Sequence, residues 1–417
     1  MKKTLFAAVG LAALTLGSSL ASATEGYFQL GFGPRQSAMG GTGVADSVDA
    51  MALALNPAGI VGLEKQWSLG AAAFMPFRGY DGTGTGMVPT GSVKSDSNFF
   101  AIPNAAYIRP IDENSSWGIT LYGNGGMNTD YSADYACGMG GPGVFCGGKA
   151  GVDMMQAFLS VGYAHRFGPV KVGIAPTLVG HRFKGVGLGA FAPMSSDAAH
   201  LTNNGYDYAF GAGLRGGIEL DLAENLRLAV AGQTKMWMSK FDKYAGLFAE
   251  QGDFDIPASI TAGLSFDATP DLTLNFDYQH IFYEDVKAVA NGFPTGAPLG
   301  DDNGPGFGWK DVDVFKIGAE YKASDVWTLR AGYAYVTSPI KGTDVTLNIL
   351  APGVVQHHIT AGAAYKTSDT GTLEFFGMFV PASHVRGPEL TPMGPSGGTV
   401  DLNMHQIQFG FGYNKKF

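Results

Sequence analysis

The 417-residue sequence predicts an all-β transmembrane barrel of about fourteen antiparallel strands, with an N-terminal helical hatch, or plug, inside the lumen. Three observations carry that expectation. Segment after segment alternates apolar and polar residues with period two. The connections alternate between short and long. The chain also closes on an aromatic strand, "HQIQFGFGYNKKF", ending in Phe417. Strands that face lipid and lumen in turn read this way.

The first element is a leader. Lys2 and Lys3 precede an apolar run from Leu5 to Leu16, and Ala21-Ser22-Ala23 supplies small residues for cleavage, so residues 1–23 are expected to be a signal peptide. An anchoring helix fits less well, because the run is short and meets Gly17, Ser18 and Ser19. Cleavage removes two lysines and no acid, so the formal charge falls from −9 to −11. An acidic chain without a basic cluster excludes nucleic acid as a partner. Beyond the leader no stretch of about 18 apolar residues occurs to form a membrane helix. Mean hydropathy is nevertheless slightly positive, as half-apolar barrel strands require.

Residues 24–64 do not alternate. They carry "GGTGVADSVDAMALALNPAG", in which Val48 to Leu55 has helical spacing, Asp46 or Ser47 is placed to cap it, and Asn56-Pro57 ends it. A barrel this wide has a lumen its own side chains cannot fill, so this Gly- and Ala-rich segment is expected to plug it.

The barrel is expected over residues 65–417, from a first strand at 66–81 to a last at 400–417, with a seventh at 226–244. In "YDYAFGAGLRGGIELDL", Tyr208, Phe210, Leu214, Ile218 and Leu222 share one face, and Asp207, Arg215, Glu219 and Asp221 the other. A soluble sandwich also alternates. Against it stand the short turns "IDENSS", "FGPV", "LAEN", "ATPD", "ASDV" and "TSDTG", separated by long loops, and strand runs beyond the length usual in globular sheets.

In these features the chain resembles the FadL/toluene-transporter family of outer-membrane channels for hydrophobic compounds. The segment ending in Asn56, Pro57 and Ala58 looks like that family's hatch with its Asn-Pro-Ala motif. The third strand, "WGITLYGNGGMNTDY", resembles the family's third strand, where a kink opens a lateral hole; Gly123, Gly125 and Gly126 would supply the kink here. The resemblance implies a signal peptide, hatch, fourteen strands and terminal aromatic, with Phe417 as an assembly signal. It implies passive transport of long-chain fatty acids or similar molecules, captured on outer loops, bound in the lumen and released sideways. An aromatic-hydrocarbon channel, or a structural or secretion-partner barrel using the same plug, are the alternatives.

Capture is expected on two loops. One carries Leu188, Phe191 and Met194; the other carries Phe241, Tyr244, Leu247 and Phe248 at helical spacing. The plainer reading is that they pack the loops together. Within the barrel, Arg166, Arg215, Arg227, Lys316 and Arg330 share the lumen side with Glu219 and Glu320, as ion pairs filling a polar interior. Arg215 and Lys316 are the candidates to meet a ligand carboxylate.

Cys137 and Cys146, in an exported chain, point to a disulfide across a Gly-rich loop, with metal binding as a rival that lacks further ligands nearby. No metal or cofactor is implied. An enzyme is disfavoured: His280, His384 and His405 have no nucleophile motif beside them, and His357 and His358 point to opposite strand faces. The expected setting is the bacterial outer membrane, spanned many times by a monomer. Its expected partners are a hydrophobic ligand, membrane lipid and lipopolysaccharide, and the barrel-assembly machinery. A general porin conflicts with the plug.

Overall fold

Strand after strand pairs with its sequence neighbour until the last returns to the first. The structure, a computed structural model, describes residues 24–417; the expected signal peptide lies outside the described residues. The strands are β1 (Gln66–Thr83), β2 (Gly91–Lys94), β3 (Phe100–Pro110), β4 (Ser115–Tyr131), β5 (Ala150–Phe167), β6 (Val170–Val186), β7 (Asp207–Ala223) and β8 (Leu226–Gln233). There follow β9 (Trp237–Met238), β10 (Ser259–Thr269), β11 (Leu272–Ile281), β12 (Val312–Lys322), β13 (Trp327–Val336), β14 (His357–Ser368), β15 (Gly371–Thr391) and β16 (Gly394–Lys416). Of these sixteen, the short β2 and β9 lie beside β1 and β7, and the other fourteen form the wall, closed by β16 on β1. Every pairing is antiparallel, and β1 meets β16 from Gln66↔Lys416 to Thr83↔Thr399.

Closure satisfies the edge groups that an open sheet would expose to hydrocarbon. The period-two pattern sorts as expected. Leu69, Ile174, Leu214, Ile218, Phe276, Phe315, Phe409 and Phe411 are exposed on the outer surface, while Ser68, Thr177, Arg215, Glu219, Asp277 and Lys316 are buried inside. His357 is exposed and its neighbour His358 buried. Tight connections such as those at 168–169 and 224–225 alternate with long loops at 187–206 and 234–258.

Residues 24–64 lie within the barrel and are almost wholly buried. Lumen-facing glycines make the room. An added Cβ at Gly173 would fall on Pro57 and Ala58, one at Gly217 on the Asn56 side chain, and one at Gly332 on the Met39–Gly40 backbone. The glycine abundance therefore reflects, in part, a segment lying against several strands at once.

Two local expectations need correction. The helix expected over Val48–Leu55 is only Ala52–Leu55, with Met51 as its N-cap. Its early part is instead a turn, in which the Asp49 side chain accepts from the Met51 amide at 2.8 Å. Asp and Ser compete with helix through such local bonds. The seventh wall strand ends at Gln233, not 244. There the Thr234 hydroxyl accepts the Leu214 amide, and the chain turns into a loop that pairs Met236 with Ile256.

Candidate transport path

The wall is interrupted between β3 and β4. β3 pairs with β4 only from Asn104 to Pro110, against Tyr122 to Ser116. β4 nevertheless keeps its ladder with β5 through Tyr131, with a register shift between Gly123 and Gly125 that leaves Asn124 as the extra residue. The shift is a β-bulge, which bends a strand and ends pairing on one side. From Gly123 to Tyr131 the β3-facing edge of β4 therefore has no partner strand among the described residues.

Other parts of the protein satisfy that edge. The Gln29 amide donates to the Asn124 carbonyl at 3.0 Å, and the Gly126 amide donates to the Tyr27 carbonyl at 3.1 Å. Further along, the Arg78 Nε donates to the Asn128 carbonyl at 2.6 Å, and the Asp96 amide donates to the Asp130 carbonyl at 2.8 Å. The Asp130 amide donates to the Ser95 hydroxyl at 3.0 Å. Unpaired backbone facing hydrocarbon is costly, so a hole in such a wall must be lined by protein in this way.

Behind the break lies a small cavity of about 20 Å3, walled by Phe74, Phe100, Met127, Trp309 and Met404 with Arg78 at its side. Arg78 is buried, donates to the Asn128 and Pro76 carbonyls, and has its guanidinium 5.6 Å from the Phe100 ring centre.

The segment that covers the break starts as a tight turn. The Phe28 carbonyl accepts from the Thr24 and Glu25 amides, with Gly26 at φ +68°. Tyr283 clamps the turn: its hydroxyl donates to the Glu25 carbonyl at 2.6 Å and accepts from the Tyr27 amide at 3.1 Å. Glu25 pairs with Lys316 at 2.6 Å, both side chains nearly fully buried. Deeper, Asn56 bridges two parts of the segment. Its Nδ2 donates to the Val44 carbonyl at 2.7 Å and its Oδ1 accepts from the Ala58 amide at 3.0 Å. Arg35 reaches Asp46 at 2.6 Å and Glu320 on the wall at 3.0 Å.

A second small cavity, of about 20 Å3, lies in the lumen between Phe28, Phe32 and Leu55 on one side and Arg215, Gln279 and Lys316 on the other. Both cations expected to meet a carboxylate are here. Arg215 donates to the Ala54 carbonyl at 2.5 Å and to Gln233 at 2.7 Å, and no carboxylate pairs with it among the described residues. The other cations expected on the lumen side are in ion pairs: Arg330 with Glu320 at 2.6 Å and with Glu374, Arg166 with Asp221 at 3.5 Å, and Arg227 with Asp267 at 3.4 Å. Glu219 pairs with Lys171 at 2.6 Å.

A third small cavity, of about 40 Å3, sits among the long loops and is lined by Leu188, Phe191, Leu247 and Phe248 with Phe183, Phe307 and Leu350. Phe241 and Tyr244 support it, their rings 5.8 and 4.7 Å from Phe183. Met194 is half-buried at the end of the Gly189–Met194 turn and is not among the lining residues. The spacing of Phe241 to Phe248 is not one continuous helix. A 3-10 turn covers Asp242–Tyr244, and a short helix spans Ala249–Gly252 with Glu250 and Gln251 at positive φ. These residues pack the loops against one another, and Leu188, Phe191, Leu247 and Phe248 also wall the cavity.

Cys137 and Cys146 are bonded to each other. Phe417 is exposed, its amide donating to the Lys65 carbonyl at 3.0 Å and its ring centre 4.7 Å from Lys65 Nζ. Sequence reasoning missed Glu25, Tyr27, Arg78, Phe100 and Trp309. Only Arg78 left a signal, as a lone charge in step with Phe74 and Tyr80 on the inward face of β1.

Comparison with known proteins follows the same outline. The family model described as outer membrane protein transport protein (OMPP1/FadL/TodX) matches residues 29–379. The long-chain fatty acid transport protein of Salmonella typhi is 24% identical over 302 residues, covering 63% of this chain and 66% of that one. The long-chain fatty acid transport protein of Escherichia coli (strain K12) is 23% identical, with 76% and 78% covered. Among solved structures, the P. putida toluene transporter TodX superposes with a TM-score of 0.70 at 17% identity, covering 93% of this chain and 99% of that one. A Pseudomonas aeruginosa FadL homologue gives a TM-score of 0.66 at 14% identity, with 96% and 100% covered.

Proposed function

Because this chain belongs to the outer membrane protein transport family (OMPP1/FadL/TodX), we propose that it carries hydrophobic small molecules, long-chain fatty acids or similar, passively across the outer membrane. Capture occurs at the loop cavity of Leu188, Phe191, Leu247 and Phe248. Apolar burial at about 25 cal/mol per Å2 gives a greasy molecule a reason to leave lipopolysaccharide for that cavity. From there the ligand passes to the lumen cavity beside Arg215 and Lys316, with residues 24–64 serving as the hatch. It leaves sideways into the bilayer through the break between β3 and β4.

The observation that carries this reading is the ended β3–β4 ladder with an apolar cavity behind it. A water-filled pore gives a greasy molecule no driving force to cross. An apolar cavity behind a break in the lipid-facing wall does. The two fatty acid relatives favour an acid cargo, and a cation without a carboxylate partner, Arg215, supports the same choice over a neutral aromatic hydrocarbon.

The test is uptake of radiolabelled oleate and toluene by cells whose only such channel is this chain. Oleate uptake is expected, and Met127→Arg, which fills the cavity behind the break, is expected to abolish it while loop capture persists. Uptake of neither compound, or undiminished oleate uptake by the arginine variant with a folded barrel, removes the proposal.

A further inference from the structure

The outward face of β6 changes character toward its outer end. Val172, Ile174, Pro176 and Leu178 are exposed and apolar, and the next outward side chains are Arg182 and Lys184. A strand that rises about 3.3 Å per residue at a tilt of about 40° clears an apolar band about 25 Å tall in roughly ten residues. Counted from Val170, beside a short turn, that span ends at Gly180, so Arg182 and Lys184 stand at headgroup height. Both cations pack on Tyr206: the Arg182 guanidinium lies 4.4 Å and the Lys184 Nζ 4.8 Å from its ring centre. A third joins from the loop at 234–258, where Lys243 Nζ donates to the Tyr206 carbonyl at 2.7 Å. Acid is scarce beside them. Asp153 holds Arg182 through Nη2 alone, at 3.2 and 3.4 Å, and accepts from the Tyr206 hydroxyl at 2.7 Å. Asp207 accepts the Tyr208 and Lys243 amides. Lys184 and Lys243 have no carboxylate within ion-pair distance among the described residues. Lys149, Lys287 and Lys310, also at the outer end, each reach one within 3.0 Å.

We propose that Arg182, Lys184 and Lys243, gathered round Tyr206, bind the phosphate of a lipid headgroup in the outer leaflet. A guanidinium offers parallel N–H donors to phosphate oxygens, and the two ammonium groups add point charges beside it. The acyl chains of the same lipid have a surface to lie on. On β7 the outward face runs from Tyr206 and Tyr208 through Phe210 to Leu214, aromatic at the border and aliphatic below it. Tyrosine suits that border, with an apolar ring and a polar tip. The sign of the charge is local. The whole chain is acidic, at −9, and the corresponding end of β11 and β12 sets His280 between Asp311 and Asp313. One side of the barrel therefore attracts a phosphorylated lipid, and the β11–β12 side does not. The patch also reaches the loops above it. Tyr244, next to Lys243, accepts from the Gly185 amide at 3.0 Å and donates to the Gly205 carbonyl at 2.6 Å. A phosphate gripped by Lys184 and Lys243 thus braces the two loops that carry Leu188 and Leu247 to the outer cavity.

The test uses the full chain in phosphatidylcholine nanodiscs doped with lipid A, or with lipid A stripped of its phosphates, and native mass spectrometry counts the lipid retained on the protein. The phosphorylated form is expected to be retained roughly tenfold or more over the stripped form. Each cation beside an anionic leaflet is worth about fivefold in affinity, so Lys184→Gln is expected to lower retention about fivefold, and Lys184→Gln with Lys243→Gln about 25-fold. Lys310→Gln, at a lysine already paired with Glu284, is expected to change nothing. Heat-dependent gel mobility reports the folded barrel of each variant, and Lys184→Gln removes only a ring contact. Inorganic phosphate, compared with chloride at equal ionic strength, lacks acyl chains and is expected to leave lipid A bound. The proposal is overturned if both lipid forms are retained alike, if Lys184→Gln retains as much as the unaltered protein, or if Lys310→Gln loses as much as Lys184→Gln. It is overturned equally if inorganic phosphate strips lipid A from the protein, which would make the patch a site for a free anion.

Discussion

Alanine in place of Gly125 tests the seal at its tightest point. A Cβ there falls on the Tyr27 carbonyl oxygen, with the Phe28 Cα 3.3 Å away, so backbone rather than a pliant side chain must give way. Overpacking of this kind costs about 1–3 kcal/mol. Moving the turn also forfeits the Gly126–Tyr27 and Gln29–Asn124 hydrogen bonds, each worth about 0.5–1.5 kcal/mol net. The docked state then loses about 2–6 kcal/mol, at least a roughly thirtyfold shift toward the undocked segment. The barrel keeps its strength, because β4 pairs with β5 along its other edge. Exchange over residues 24–30 is expected to accelerate by that factor, while the heat-dependent gel mobility of the barrel stays as in the unaltered protein. Exchange equal to that of the unaltered protein would refute the reasoning. A valine at 125 would meet the same backbone and evict the cover in the same way.

Further outcomes follow from other sites. Asn56→Ala removes both bonds that tie Val44 to Ala58 inside the barrel, leaving a buried donor and acceptor unmet at about 1–3 kcal/mol each. Lower oleate uptake at unchanged surface level is the expected result, and unchanged uptake counts against a hatch role. In the outer loop, burial with Asp255 and Glu250 nearby pushes the Asp253 carboxyl up from 3.8 to about 6. A raised carboxyl stabilises the loop fully below 3.8, and that contribution is lost as pH rises through about 6. Exchange over residues 240–256, corrected for its intrinsic pH dependence, should therefore be slower near about pH 5 than near about pH 7.5. Asp253→Asn should flatten the difference; a difference that survives it contradicts the assignment. Removing Phe417 is expected to lower the amount of assembled barrel at the surface, and normal levels would end its reading as an assembly signal.

How far the sequence reaches differs between wall and interior. The wall was legible because lipid and lumen impose opposite demands on successive residues, so Leu214 and Arg215 announce their faces. Strand ends were less so. Gln233 ends its strand because Thr234 bonds across to Leu214, a contact no local pattern encodes. At the glycines 123, 125 and 126 the sequence shows small residues but not what lies against them. A bulge is there, and Gly125 is also small because Tyr27 crosses over it. The lumen cations were visible one by one, but their partners were not. Glu25 meets Lys316 from a distant part of the chain, and such pairings are set by closure of the barrel.

The central claim is sideways exit, and the path of the cargo itself tests it most directly. Laurate carrying a terminal diazirine would be bound to the full chain in nanodiscs and photolysed, and the labelled residues mapped by mass spectrometry. The account predicts labels on Phe74, Phe100 and Met127, behind the β3–β4 break. Labels confined to the opposite mouth of the lumen, at Asp49, Glu320 and Lys322, would show the cargo passing straight through and contradict it.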